Sequence, residues 1–304
     1  MNEPLISVAL CTYNGEKYLA EQLDSIIGQS YKNIEVVIVD DASTDKTVEI
    51  INSYAKNDSR IKCHKNEFNL GFNKNFEKAI TLTSGDYIAI SDQDDIWLPD
   101  KLQLLVKHIK DNWVIFSNSS YMGARKSRLL LNKFKLPVDY KGIILRNFIT
   151  GHTSLMRREF LSQVLPFPKK GYYDWWIGFV ALYHKKITFY DHVLTYYRIH
   201  NESVIKRRLR QNSTEKIEFE DTTRMLDAFA NYKNINSADK LFIDQLKDAY
   251  KLKRRRSRSM PLMKIIYNHY RELFPNRKPW KSLTKLHFAF KYSKGLKHRI
   301  KINK

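Results

Sequence analysis

Short apolar runs alternate, over the first hundred residues, with stretches whose apolar positions recur at helical spacing. Ile6-Ser7-Val8-Ala9-Leu10-Cys11-Thr12 reads as a strand and Tyr13-Asn14-Gly15 as a turn, after which residues 16–29 place Leu19, Leu23, Ile26 and Ile27 on one helical face. Ile34-Glu35-Val36-Val37-Ile38-Val39 reads as a buried strand closing on Asp40-Asp41, and Ser43-Thr44-Asp45 opens a helix through Val48, Ile51 and Tyr54. A short strand over 61–64, a helix over 72–82 and the strand Tyr87-Ile88-Ala89-Ile90-Ser91, ending at Asp92-Gln93-Asp94-Asp95, continue the series. The alternation predicts an α/β domain whose parallel strands carry polar residues at their carboxyl ends, where such folds place ligands. Beyond residue 100 the pattern loosens into a helix over 99–110, a strand over 113–118, a strand over 151–156, a helix over 172–184 and one or two strands over 187–197. After Glu202 the signal is helical with polar interruptions.

At 304 residues with 43% hydrophobic content, the chain is long enough for one large α/β domain with appendages, and disordered, collagenous and disulfide-scaffold classes are excluded. Cys11 and Cys63 lie far apart in strand-like runs, which fits a reducing compartment and leaves no cysteine metal site. The first residues lack a basic leader, and no run reaches the roughly 18 apolar residues that span a bilayer, so a cytoplasmic location is expected. Charge becomes informative once located. Of a net +21, residues 251–304 supply +17, with 18 Lys and Arg against the single acid Glu272. A basic tail on a nearly neutral remainder predicts an anionic surface as partner, membrane or nucleic acid.

Acidic residues cluster at strand ends. Asp41, Ser43 and Asp45 serve as a helix start in their own right. Asp92, Asp94 and Asp95 repel one another unless a cation or basic side chain sits among them, and Asp-x-Asp on a tight turn presents hard oxygens suited to Mg²⁺ or Mn²⁺. Neither a Gly-x-Gly-x-x-Gly nor a Gly-x-x-x-x-Gly-Lys-Ser/Thr loop is present, which argues against dinucleotide oxidoreductases and P-loop NTPases. A carboxylate turn without a glycine phosphate loop has to neutralise a diphosphate through a metal, the requirement of a nucleotide-sugar enzyme.

The ordered segments Ser7–Gly15, Val39-Asp40-Asp41-Ala42-Ser43-Thr44-Asp45, Asn69-Leu70-Gly71 and Ser91-Asp92-Gln93-Asp94-Asp95-Ile96-Trp97 resemble the family 2 glycosyltransferases of GT-A fold. Gly151-His152-Thr153, Tyr173-Asp174-Trp175-Trp176 and Tyr197-Arg198-Ile199-His200-Asn201 are similar to their rhamnosyltransferase-like branch, which serves bacterial polysaccharides. The resemblance implies a Rossmann-like, mixed but mostly parallel sheet flanked by helices. It divides the chain into a catalytic domain over 1–204, with a nucleotide-sugar half over 1–118 and an acceptor half over 119–204, and a basic helical extension over 205–304.

It also implies roles. Thr12, Tyr13, Asn14 and Asp41, with Glu16, would hold base and ribose, although the Tyr13 ring can equally be a packed turn aromatic. Asn73 and Lys74 would face the donor, a lone helical Lys being otherwise a solvated one. Asp92 and Asp94 would hold Mn²⁺ or Mg²⁺, Asp95 would join the donor site, and Arg198 and His200 would approach the diphosphate or metal. Asp174 matches the catalytic base of an inverting transfer and is equally placed to cap its helix; Trp175 and Trp176 would offer a face to the acceptor sugar. Residues 121–147 would line the sugar pocket.

The expected activity is transfer of a sugar from a UDP- or dTDP-linked donor to a hydroxyl of a surface-polysaccharide or polyprenyl-linked acceptor. Aromatics and leucines interleaved with Lys and Arg after residue 253 suit an interfacial helix on anionic lipid, so the enzyme is expected to be peripheral on the inner face of the cell membrane, with no nucleic acid as partner. Two other classes stay open: a nucleic-acid-binding protein using the tail, and a metal-dependent nucleotidyltransferase.

Overall fold

The computed structural model describes residues 3–122, 134–200, 212–277 and 282–296. The sequence motif residue Asn201, together with Trp280 and Lys281 of the basic tail and residues 123–133 of the expected sugar-pocket stretch, lies outside the described residues. Two compact units are present. The first comprises Met1–Leu136, Phe148–Lys169 and Tyr173–Ile199, and the second Pro137–Asn147, Lys170–Tyr172 and His200–Lys304.

The first unit is built on an eight-stranded sheet. In chain order its elements are β1 (Ile6–Thr12), α1 (Leu19–Ile27), β2 (Ile34–Asp40), α2 (Thr47–Asn57), β3 (Ile61–Lys65), α3 (Phe72–Thr81), β4 (Tyr87–Ser91), β5 (Ile96–Trp97), α4 (Lys101–Ile109), β6 (Val114–Tyr121), β7 (Ser154–Arg157), α5 (Leu161–Val164), α6 (Tyr173–Tyr183) and β8 (Ile187–Tyr197). The strands lie in the order β3-β2-β1-β4-β7-β6-β8-β5. β3, β2, β1 and β4 are parallel, whereas β7 runs antiparallel to both β4 and β6. This is the mixed, mostly parallel arrangement expected. The run 151–156 differs: 151–153 form a 3₁₀ turn and the strand occupies Ser154–Arg157.

Every residue of β1 and β2 is buried, as helices on both faces require of a central parallel strand. Ile6, Val8, Leu10, Val36, Ile38 and Ala89 pack with Leu19, Leu23 and Ile26 of α1 and with Leu102 and Leu105 of α4. A carboxylate is buried at the start of β2. Glu35 accepts from the Ser7 hydroxyl at 2.6 Å, the Lys62 ammonium at 2.7 Å and the Ser84 amide at 2.5 Å, which pins β2 to its neighbours. Consecutive connections leave β1 for β2 and β3 on one side and then for β4 on the other. The gap between the carboxyl ends of β1 and β4 is therefore the topological switch point of the sheet, the position where open α/β folds bind ligands.

The second unit is helical, with α7 (Thr214–Ala230), α8 (Ser237–Arg255), α9 (Met260–Asn268), α10 (Tyr270–Leu273) and α11 (Ser282–Tyr292). Ser213, Asn236 and Ser259 each accept an amide hydrogen at the start of α7, α8 and α9, as N-cap residues do. Phe219, Met225, Phe229, Ile243, Leu246, Leu262 and Ile266 form its interior. Among the described residues, no helix is long and apolar enough to cross a membrane.

Candidate active site

The loops after β1 and β2 are braced against each other. Asp40, fully buried, accepts from the Thr12 hydroxyl at 2.8 Å and from the Ser43 amide at 2.9 Å. Asn14 takes a positive φ of 48°, which Asn tolerates better than most residues; its amide donates to Ser43 Oγ and its side-chain oxygen accepts from the Thr44 amide. Glu16 accepts from the Lys46 amide at 3.0 Å. Thr12, Asn14 and Glu16 thus use polar atoms to build the loops, while the Tyr13 ring stays 40% exposed at their edge. Asp41 holds a third loop, accepting from the amides of Leu70 and Gly71 and from Asn66.

The acid turn after β4 reaches back to the first loop. Gln93 accepts from the Tyr13 amide at 2.8 Å and donates to the Tyr13 carbonyl at 3.1 Å, a two-point clip on the main chain. Gly15 leaves room for it: a Cβ there would stand 2.3 Å from Gln93 Oε1, so the amide would have to shift off the clip.

Asp92 and Asp95 meet a residue from outside the turn. The antiparallel register pairs Tyr87 with Arg157 and Ala89 with Leu155; continued past the strand ends, it carries the chain to Asp92 on one side and His152 on the other. His152 Nδ1 lies 3.5 Å from Asp92 Oδ2 and 3.3 Å from Asp95 Oδ2. Asp92 is partly exposed, whereas Asp95 and His152 are buried. Burial pushes the Asp95 carboxyl up to about 7, with His152 pulling it down and Asp92 and Asp94 pushing it further up. Burial would lower the His152 imidazole, but the charges of Asp95 and Asp92 outweigh it and raise it.

Two further groups fix the imidazole. The Tyr197 ring stacks on it at 5.3 Å and 12°. The Lys101 ammonium, fully buried, donates to the His152 carbonyl at 2.5 Å and sits 3.5 Å from the centre of the Trp97 ring. Burial drives this amine well below the ordinary lysine range, opposed by Asp95 and Asp92.

The remaining expected site residues are placed as follows. Asn73 accepts from the Tyr173 amide at 3.0 Å, at the head of α6, and Lys74 pairs with Glu77 at 2.6 Å. Arg198 donates to the Asp94 carbonyl and to Glu21, and covers the Tyr18 ring at 4.5 Å. His200 belongs to the second unit. Asp174 is half-buried in the first turn of α6 and accepts from the Trp175 amide at 2.7 Å. Trp175 and Trp176 are both only 6% exposed, and the Trp176 indole donates to the Val164 carbonyl.

Tyr173 links α6 to the acid turn. Its phenol lies against Gly151, where a Cβ would be 2.1 Å from the phenol oxygen, and burial raises it well above the ordinary tyrosine range, reinforced by Asp92 and Asp174.

One ligand atom each from Asp92, Asp95 and His152 lie within 4.8 Å of one another. Two carboxylate oxygens and a neutral imidazole nitrogen are a donor set that fits Mn²⁺ better than the oxygen-preferring Mg²⁺, with the partly exposed Asp92 as the open side. Sequence alone gives no role to His152, Tyr197 or Lys101, and gives Tyr173 only that of an aromatic limiting water around Asp174. Gly151-His152-Thr153 stood out as a motif, but its place beside Asp92 follows from the β4–β7 pairing alone.

Residues 7–165 match the family model for glycosyl transferase family 2. The chain belongs to this family. Its relatives include an uncharacterized glycosyltransferase of Methanocaldococcus jannaschii, 33% identical over 225 residues, covering 69% of this chain and 76% of the relative. The Escherichia coli UDP-Glc:alpha-D-GlcNAc-diphosphoundecaprenol beta-1,3-glucosyltransferase WfaP is 30% identical over 221 residues, covering 70% of this chain and 86% of that protein. Among solved structures, S. aureus TarS 1–349 in complex with UDP-GlcNAc superposes with a TM-score of 0.64 at 18% identity, covering 94% of this chain and 87% of that one, so the two share a fold. Of the two enzyme classes left open by the strand-end aspartates, family 2 membership selects glycosyl transfer over nucleotidyl transfer.

Proposed function

We propose that this family 2 glycosyltransferase moves a hexose-type sugar from a UDP- or dTDP-linked donor to a hydroxyl of a polyprenyl-diphosphate-linked saccharide, with inversion, during assembly of a bacterial surface polysaccharide. The observation that carries the reading is the cluster of Asp92, Asp95 and His152, with one ligand atom from each within 4.8 Å of the others, beside the switch point of the sheet. The E. coli relative, by its name, uses UDP-Glc and a diphosphoundecaprenol-linked GlcNAc, and the TarS neighbour binds UDP-GlcNAc.

In this reading the Tyr13 ring, the Asp41-held loop and the brace of Thr12, Asn14 and Glu16 receive the nucleoside, and Asn73, Lys74 and Arg198 flank the donor. Asp92, with Asp95 and His152, would hold a divalent metal; Asp94 is the further ligand candidate on the same turn. When bound, the metal supplies positive charge for the departing diphosphate. Asp174 takes the proton from the acceptor hydroxyl as that oxygen bonds to the anomeric carbon and the bond to the diphosphate breaks. Tyr173 stays protonated, so its hydroxyl can donate into the site. Trp175 and Trp176 shape the wall behind Asp174. A lipid-linked acceptor requires work at a membrane, and the basic C-terminal region would hold the enzyme on the cytoplasmic face.

The test is transfer to a synthetic polyprenyl-diphosphate GlcNAc with Mn²⁺ and a panel of UDP-, dTDP- and GDP-sugars, comparing wild type with Asp174→Asn. The variant should lose roughly 10²–10⁴-fold in turnover while binding the nucleotide normally. Retained turnover removes the base assignment, and transfer with retention of anomeric configuration removes the single-displacement reading.

A further inference from the structure

Helix α11 is held so that an apolar stripe faces outward. Leu283, Leu286 and Phe290, spaced as neighbours on one helical face, are 76%, 44% and 49% exposed, while Ala289 on the opposite side is fully buried. The inward ring of Phe288 packs on Phe274 at 4.8 Å and Tyr270 at 5.3 Å, and Tyr292 packs on Phe274 at 5.4 Å. Main-chain bonds lock the end of the helix: Ser259 donates to the Ser293 carbonyl at 3.0 Å and Gly295 to the Ser257 carbonyl at 2.8 Å. The helix cannot roll its stripe inward without breaking both the ring cluster and these bonds.

Cations border the stripe. The Arg258 guanidinium lies 3.3 Å from the centre of the Phe290 ring, an isolated bridge pairs Arg258 with Lys294, and Lys291 is exposed. The single acid of residues 251–304, Glu272, is already engaged by Lys141 and by His269. Apolar side chains with an excess of positive charge at their margin match an anionic lipid surface, where acyl chains receive the Leu and Phe side chains and headgroup phosphates receive Arg and Lys. Arg258 is held there, its flat face on Phe290 and its Nη1 donating to the Phe290 carbonyl and the Ser293 hydroxyl, so that a positive charge is fixed beside the ring that would insert. A nucleic acid would answer the charge but leave the leucines in water, and a protein interface core normally excludes so dense a set of cations.

We propose that the Leu283/Leu286/Phe290 face of α11, with Arg258, Lys291 and Lys294 around it, is the surface by which the protein inserts into the headgroup region of an anionic bilayer. This deepens the membrane-surface reading above and rests on it.

The experiment is flotation of the full chain with vesicles of phosphatidylglycerol and phosphatidylcholine, and with phosphatidylcholine alone. Wild type should bind the anionic vesicles selectively. Leu283→Ser/Leu286→Ser/Phe290→Ser should bind them roughly tenfold or more weakly, with unchanged melting temperature and unchanged transfer to a lipid-free acceptor. Leu283→Trp, which adds interfacial area without disturbing the inner face, should bind more tightly than wild type. Equal binding by all three proteins overturns the stripe while leaving a purely electrostatic membrane contact. Binding of wild type to neither vesicle overturns the membrane reading with it. A dimer in sedimentation that the triple variant abolishes, or RNA binding that it abolishes, with no vesicle binding in either case, also overturns the proposal.

Discussion

His152 presents Nδ1 to the buried Asp95 carboxylate at 3.3 Å, although the two residues belong to different strand ends. Protonated, the imidazole answers the charge of the acid turn; deprotonated, its nitrogen becomes a metal donor. Replacing it with Phe keeps the stacked ring against Tyr197 but leaves Asp92 and Asp95 facing each other without the imidazole nitrogen, Asp95 retaining the Arg198 amide. His152→Phe should fold, bind Mn²⁺ about 10–100-fold more weakly and lose transfer in proportion. Calorimetric metal titration with parallel kinetics checks this, and an unchanged metal affinity would remove His152 from the cluster.

Gly15 and Gln93 form a second testable pair. A methyl group at 15 collides with the Gln93 amide that clips the Tyr13 main chain. Gly15→Ala should cost about 1–3 kcal/mol of stability and raise the donor KM, because the clip must shift. Shortening the clashing side chain relieves the collision but not the loss of the clip. Gly15→Ala/Gln93→Ala should therefore recover melting temperature while keeping the raised KM; recovery of both would mean that the clip has no part in donor binding.

The parallel half of the fold is legible because its signals are local. The apolar runs of β1, β2 and β4 and the facing positions of α1 and α2 lie within single windows of sequence, and the acids at the strand ends follow directly. His152 is different: its partners become visible only once β7 is known to pair antiparallel with β4, and pairing between distant segments leaves no periodic trace. The same holds for Lys101, which reads as the start of a surface helix yet is buried beneath the 151–153 turn. Family motifs name Thr12, Asp41 and Arg198, but only the structure gives their partners: the hydroxyl of Thr12 turned to Asp40, the Asp41 carboxylate on the Leu70 and Gly71 amides, and the Arg198 guanidinium on Glu21.

Glu35 predicts a pH dependence of stability. Burial alone would raise its carboxyl, but hydrogen bonds from Lys62, Ser7 and Ser84 prevail and lower it from 4.5 to about 2. A carboxyl depressed in the folded state stabilises fully above its unfolded value and progressively less as pH falls from there towards the folded one. Lys62 is half-exposed, so solvent discounts its share and the contribution at neutral pH is about 1–3 kcal/mol. Glu35→Gln should be less stable than wild type in urea melts at neutral pH, and the gap should narrow below about pH 4.5 and nearly close by about pH 2. A gap that stays constant with pH would assign the loss to packing.

Lys101 separates stability from positioning. Methionine in its place keeps most of the side-chain volume and the contact with Trp97, but removes the donor to the His152 carbonyl. A buried carbonyl that loses its partner costs about 1–3 kcal/mol, so Lys101→Met should melt earlier. If the ammonium also fixes the 151–153 turn, the fraction that remains folded should turn over roughly tenfold more slowly and show weaker Mn²⁺ binding, because His152 rides on that turn. Normal turnover and metal affinity in the folded fraction would make Lys101 a stabilising residue alone. Slower turnover with normal donor binding would place its effect on the geometry of the acid cluster.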